Sequence, residues 1–369
     1  MRICLQGRLS VIRMSSEGGD IVRILEGYRP LVDKAMEKLV PRELDPRQMA
    51  FELGEASYEF DEIAATKVVN EPIWDLLGRG GKRWRPALCL MIGGALGKKP
   101  GPLAPIAAAV EIIHNGSLMT DDLEDGSELR RGKPCIHLKY GVDVGVNAGN
   151  AMYFLALNAF LRGKWPKAVL VKAYEAYALE LIRVHYGQGA DIWWHRGGSE
   201  KVTEGQYLQM CAFKTGTLAR LAAKWGAIFG GGSDAQIEAA GRLAESIGVA
   251  FQIQDDVLNL QGEEEKYGKE IGGDITEGKR TLLVIYALES AERDDAKRLL
   301  ETLSEHTRDK KKLAVAIEII KKSGAFEKAN AKAREIVRKA WEEFDALFPQ
   351  SKNKKELEML AYFVIERSV

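Results

Sequence analysis

The 369-residue chain has no excess charge of either sign: 53 Lys+Arg stand against 53 Asp+Glu. A balance of this kind sets up no global field, which argues against nucleic acid as a partner and against recruitment to anionic membrane. Cysteine is scarce, and Cys4, Cys89, Cys135 and Cys211 lie far apart with no metal-like spacing. Free thiols in a reducing compartment follow, and the expected location is cytoplasmic. The longest apolar run considered, Pro86 to Gly97, is bounded by Arg85 and Lys98 and falls far below about 18 residues, so no transmembrane segment is expected. Runs of alternating residues joined by hairpin turns are missing, as is any internal repeat. What remains is helix.

Hydrophobic residues at 46% and charged residues at 29% describe a globular protein. Residues 1–20 read as a disordered tail or a mis-assigned start, with Met14 as the alternative first residue; Arg2, Arg8 and Arg13 with no acid faintly resemble a transit peptide. Residues 21–369 read as a single all-α domain, a large bundle of long helices. Two or three short helices are expected over 20–64, broken by Pro30 and Pro41. A proline-rich connector is expected from Gly97 to Pro105, then a helix from Ile106 to Asp125 and a basic, glycine-bearing loop from Gly126 to Gly141. Further helices follow at about 143–161, 166–190, 203–229, 235–260 and 279–293, with amphipathic helices from 309 to 369. Gly230-Gly231-Gly232 stops one helix, and Ser233 or Asp234 caps the next.

Two acidic strings organise the chain. Asp121-Asp122-Leu123-Glu124-Asp125 and Asp255-Asp256-Val257-Leu258-Asn259 each end a long apolar segment. Residues three and four apart share a helical face, so Asp121, Asp122 and Asp125 point into one region, and Asp255, Asp256 and Asn259 into another. A like-charge pair at about 4 Å costs roughly 4 kcal/mol at an effective dielectric near 20, so such clusters call for cations. Hard oxygen ligands suit Mg²⁺, which shares its remaining positions with water and phosphate. Two clusters suggest several Mg²⁺ ions gripping a polyphosphate.

Basic sets accompany them. Gly80-Gly81-Lys82-Arg83-Trp84-Arg85 sits at a loop-to-helix junction, where free N–H groups favour phosphate. Arg130-Arg131 follows the first acids, Lys214-Thr215 lies within a helix, and Lys269, Asp274 and Lys279 straddle the loop after the second. His114 precedes Asp121 by about two turns on nearly the same face. Taken singly, each has a plain structural reading: a solvated helix face for DDxxD, surface for RR or KT, a core histidine for His114. Cys135 and Trp193-Trp194 read as packing residues. Their joint order changes the balance.

GGKRWRP (80–86), DDLEDGSELRRGKP (121–134), GQGADIWW (187–194), KTGTL (214–218), FQIQDDVLN (251–259) and GKEIGGDITEGKRTL (268–282) resemble the ordered signature of trans-isoprenyl diphosphate synthases, the polyprenyl synthetase family, and most closely its geranylgeranyl diphosphate synthases. The resemblance covers the chain from about residue 70 and leaves 1–69 unexplained. It implies helices around a deep central cavity, usually as a homodimer, and head-to-tail condensation of isopentenyl diphosphate with an allylic diphosphate (dimethylallyl, geranyl or farnesyl). It implies Asp121, Asp122, Asp125, Asp255 and Asp256 as ligands of about three Mg²⁺ ions. Arg130, Lys214, Thr215, Gln252, Lys269 and Lys279 would bind the allylic diphosphate, with Lys214 and the acids forming the catalytic set. Gly81, Lys82, Arg85, His114 and Arg131 would bind isopentenyl diphosphate. Asn259 stands where many members have a third aspartate, and leaves a neutral oxygen that can ligate or hydrogen-bond.

Product length in the family follows the bulk below the first acids. One turn before Asp121 lie Gly116 and Ser117, both small, where farnesyl-producing enzymes often carry aromatics; the next floor falls near Ile113 or on a neighbouring helix. A C20 product is expected, with C25 or longer as the alternative. A non-catalytic subunit of a heteromeric synthase would have lost acids, and a terpene cyclase would need an Asn/Asp…Ser…Glu metal motif that DDVLN followed by Gln261-Gly262 does not supply.

Overall fold

The computed structural model describes residues 14–199, 201–261 and 271–366. These residues form one helical bundle built around the Pro100–Glu124 helix, which packs on Met14–Leu39, Trp84–Ala95, Val142–Leu155 and Thr217–Gly230. Its buried Ala104, Ala107, Ala108 and Ala109 let these neighbours come close. Asp234–Gln261, which carries the second acids, packs against Thr217–Gly230 on one side and Ala325–Leu347 on the other. The two acidic strings thus end two helices of the same bundle.

The N-terminal region departs from expectation. Met14–Leu39 is one helix that runs through Pro30. Pro30 cannot donate to Glu26, but both residues are exposed, so water can take the freed carbonyl. Ile21, Leu25, Val32, Met36 and Leu39 keep an unbroken buried stripe across the proline. Shorter helices Pro46–Leu53 and Glu62–Ala65 follow.

The expected connector from Gly97 to Pro105 is instead already helix from Pro100. Prolines in a first turn forfeit no intrahelical bond, because those N–H groups have no partner there. Within the expected Gly126–Gly141 loop, Leu129–Arg130 pairs with Lys133–Pro134 in a short hairpin, and Ile136–Tyr140 is helical. Gly231 at φ 80° ends one helix, and Ser233 rather than Asp234 caps the next, its Oγ accepting from the Gln236 N–H. By length and composition Val142–Leu161 could cross a membrane, a run the apolar count above passed over. Half of it is buried in the bundle, and its helix breaks between Leu155 and Asn158.

Candidate active site

The two acidic helix ends face one cleft of about 520 Å³. Asp121, Asp125, Asp255, Lys214 and Lys279 line it together with Ser117, Leu118, Tyr153, Val184, Leu218 and Phe251. A cleft with both charged and apolar lining is what an amphiphile with a diphosphate head requires.

Within the first string the three aspartates do different things. Asp121 is a quarter exposed; its carboxylate accepts from Gln188 Nε2 at 3.2 Å and lies 3.7 Å from Lys214 Nζ. Asp125 stands at the solvent-facing rim, and its carboxyl is pushed up to about 6 by desolvation and then by Asp121. Asp122 turns inward. It is 1% exposed, does not line the cleft, and is gripped by Arg130, whose Nε donates at 2.7 Å. Burial, and then the adjacent Asp122 carboxylate, push the buried Cys135 thiol up to about 11.

In the second string both aspartates line the cleft, and one of them is anchored by protein. Asp255 faces the cleft. Asp256 is 4% exposed and holds both oxygens against protein, Oδ2 accepting from the Tyr207 hydroxyl at 2.5 Å and Oδ1 from Gln252 at 2.9 Å. Gln252 in turn accepts from Thr215 at 2.9 Å. Asn259 is buried: its Oδ1 accepts the Asp274 N–H at 3.1 Å, and its backbone carbonyl accepts from Gly272. It pins the next loop so that Asp274 reaches Lys279 at 3.2 Å.

Lys214 owes its position to a backbone irregularity. Ala212–Gly216 is a π turn between Glu204–Cys211 and Thr217–Gly230. Two glycines allow it: a Cβ at Gly187 would lie 2.3 Å from the Lys214 nitrogen, and one at Gly248 would lie 2.6 Å from the Gly216 Cα. Such widened turns recur at functional sites. The ammonium reaches Asp191 at 2.6 Å, which holds it firmly protonated once burial is overcome. Val184, Gln188 and Asp191 share one helical face; Gln188 and Asp191 belong to the GQGADIWW string, whose spacing alone assigns them no role.

The basic wall is built by two loops tied together. Arg79 donates to the Arg130 and Lys133 carbonyls, and Arg131 donates to the Gly80 carbonyl. Gly81, at φ 133°, lies against the Arg131 guanidinium; a Cβ there would meet it at 3.2 Å. Arg83 and Arg131 both hold left-handed backbone, at φ 50° and 54°. Such strain persists only when surroundings over-determine it, and it collects at binding sites. Arg85 lies over the Trp84 ring at 4.4 Å and against His114 Nε2 at 3.4 Å.

Burial, then Arg85, Arg131, Arg130 and Arg83, hold His114 well below the usual imidazole range. It is therefore neutral, with Nε2 free to accept from Arg85. Below pH about 6.5 the unfolded chain takes up a proton that folded His114 refuses, so this residue subtracts stability as pH falls and nothing above that range. Proton NMR should place the His114 midpoint well below the ordinary imidazole range. A midpoint within that range would mean that the imidazole is not enclosed by the guanidinium groups.

The donor set fits Mg²⁺. Among the described residues no three carboxylate, imidazole or thiol side chains close on one point as a ready cage. Asp121, Asp125 and Asp255 instead line a shared space, and the carboxyl of Asp125 is raised there by desolvation and then by Asp121. Mg²⁺ characteristically takes one or two carboxylates and draws its other oxygens from water and phosphates.

The cleft lining includes every sequence-predicted substrate-binding residue except Lys269, which lies outside the described residues, and of the predicted metal ligands Asp122 alone does not line it. Ser117 lines the cleft, but Ile113 and Gly116 do not. A Cβ at Gly116 would lie 2.8 Å from Met152 Cβ and 3.0 Å from the Gly149 carbonyl, so this glycine serves helix packing. Tyr153 and His185, 6.0 Å apart edge to face, also line the cleft; they lie in none of the sequence motifs.

The polyprenyl synthetase family model matches residues 66–320. A short chain isoprenyl diphosphate synthase of Methanothermobacter thermautotrophicus is 40% identical over 295 residues, 79% of this chain and 88% of that one. The crystal structure of geranylgeranyl pyrophosphate synthetase from Pyrococcus horikoshii superposes with a TM-score of 0.83 at 31% identity, covering 95% of this chain and 99% of that one. A polyprenyl synthase from Caulobacter crescentus, complexed with calcium and isoprenyl diphosphate, superposes at 0.79 with 26% identity, covering 96% and 99%.

Proposed function

The chain belongs to the polyprenyl synthetase family, and from that premise we propose that it condenses isopentenyl diphosphate with an allylic diphosphate and releases mainly the C20 product, geranylgeranyl diphosphate. The observation that carries this reading is the pairing of two acidic helix ends with an apolar wall in one cleft. Asp121, Asp125 and Asp255 would hold about three Mg²⁺ ions together with the diphosphate. Bound there, Mg²⁺ supplies Lewis-acid neutralisation of the departing diphosphate. Asp122 and Asp256 act one step back: Asp122 aims Arg130, and Asp256 fixes Gln252 and through it Thr215.

Lys214, Lys279 and Arg130 stabilise charge on the leaving oxygen as the allylic C–O bond breaks. Lys82, Arg85, Arg131 and His114 hold isopentenyl diphosphate with its double bond toward the nascent cation, an orientation that can be worth roughly 7–11 kcal/mol. The departing diphosphate would take the last proton. Leu118, Leu218 and Phe251 keep water from the cation.

Chain length follows from the wall one turn below the acids. Ser117 leaves room for growth past C15, and Tyr153 with His185 sets the next limit. With Mg²⁺, a primer and isopentenyl diphosphate, the expected product is mainly C20. Ser117→Phe should shift it to C15, and Tyr153→Ala to C25 and above. A dominant C15 product, or a ladder past C30, from the native protein overturns the C20 reading. Unchanged products in both variants place the floor elsewhere.

A homodimer is supported by an exposed apolar stripe. Val171, Leu179, Ile182, Tyr186 and Trp193 lie open along one face of Lys167–His195, and Val142, Val146 and Phe154 lie open on Val142–Leu155. Contiguous apolar faces of this kind mark association surfaces. The same pairing would cover the exposed part of Val142–Leu161, in keeping with a soluble, cytoplasmic enzyme.

A further inference from the structure

Under the basic wall lies one acid that no motif singled out. Glu111, 3% exposed on the Pro100–Glu124 helix, accepts from Arg83 NH1 at 2.7 Å and from Asn115 Nδ2 at 2.9 Å. Asn115 is fully buried and also donates to the Glu111 carbonyl at 2.8 Å, which locks the carboxylate's side of the helix. The Arg83 guanidinium, 3% exposed at its side chain, reaches Asp33 at 3.3 Å and the Leu77 carbonyl at 2.8 Å as well. One side chain therefore ties the first helix, the Glu71–Leu77 helix and the Pro100–Glu124 helix to the start of Trp84–Ala95. Arg83 lies between Lys82 and Arg85 in sequence and adopts left-handed backbone to make these contacts.

The geometry points to Glu111 as a positioning residue for the isopentenyl side of the site: through Arg83 it fixes the loop that presents Lys82 and Arg85, and it is the buried counter-charge for the arginine cluster. This rests on the proposed assignment of that loop to isopentenyl diphosphate. The physical need is plain. Arg83, Arg85 and Arg131 are crowded cations taken out of water, and removing charges from water without a partner is costly. Glu111 is the carboxylate that favours the charged forms of both Arg85 and Arg131. Without it the guanidinium groups would repel one another, and the strained turn at Arg83 would lose its strongest anchor.

The role separates from general folding by which substrate suffers. In Glu111→Gln, KM for isopentenyl diphosphate should rise about tenfold while KM for the allylic diphosphate stays within about twofold. Glu111→Asp should recover part of the loss. An equal rise in both KM values, or no rise in either, overturns the positioning role. If Glu111→Gln does not fold, Asn115→Ala replaces it; it keeps the charge, frees the carboxylate, and should show the same one-sided rise at about threefold. Absence of that asymmetry in Asn115→Ala also overturns the proposal. Calorimetry with inorganic diphosphate and no allylic partner keeps this test apart from the functional assignment. Should the native protein condense nothing, that assignment fails. Weaker diphosphate binding in Glu111→Gln would still support the positioning role, and unchanged binding would refute it.

Discussion

Asp121→Asn is expected to leave the helical content and melting temperature of the protein nearly unchanged and to lower turnover by about 10²- to 10³-fold. The substitution keeps the shape of the side chain and an oxygen for Gln188 Nε2, which donates to Asp121 at 3.2 Å. What it removes is the negative charge at the point where the first acidic helix meets Lys214 and Arg130, 3.7 and 3.5 Å away. That charge has little to do with stability, because the carboxylate is a quarter exposed and its ion pairs are long. On the proposed function its value lies in binding metal and diphosphate. Steady-state turnover with saturating substrates and a thermal melt of the same sample measure the two halves of the expectation. Turnover within about threefold of native would remove Asp121 from the metal site.

Gly116→Leu gives the opposite pattern, a large loss of stability. The site invites substitution on sequence grounds, since a small residue one turn before the acids reads as empty cavity. In the fold, Gly116 is where Pro100–Glu124 and Val142–Leu155 touch: a Cβ would stand 2.8 Å from Met152 Cβ and 3.0 Å from the Gly149 carbonyl. Neither neighbour can withdraw easily, one being backbone and the other a fully buried side chain. Forcing a leucine between the helices should cost about 3 kcal/mol, the upper end of ordinary overpacking. Chemical denaturation should show the loss, and any surviving enzyme should make products of unaltered length. A stable variant with a shortened product would show that Gly116 faces the cleft after all.

The contrast between Gly116 and Ser117 shows where reading the chain stops being sufficient. Periodicity tells which residues share a helical face, and it placed both within one turn of Asp121. It does not tell which neighbour covers that face. Ser117 meets the cleft and Gly116 meets another helix because Val142–Leu155 crosses at that height, a matter of how distant segments pack. Asp122 and Asp256 repeat the lesson. The adjacent aspartates of each string looked equivalent in spacing, yet one of each pair is held by protein, by Arg130 in one case and by Tyr207 and Gln252 in the other. The hydroxyl of Tyr207 comes from another helix, with nothing in the local string to announce it.

By itself the order of residues determined the helical class, the two acid-ended helices, the loops that carry the cations, and the family. Those features are local: they depend on side-chain chemistry recurring at three- and four-residue intervals and on glycines where the backbone must turn. Packing alone decided which carboxylates stay open to an ion and that Asn259 fastens a loop. It also sank Glu111 beneath the arginines and made Tyr153 and His185 part of the cleft wall. Each of these depends on contacts between segments tens to hundreds of residues apart, and close packing fixes such contacts to within an ångström only once the whole bundle has formed.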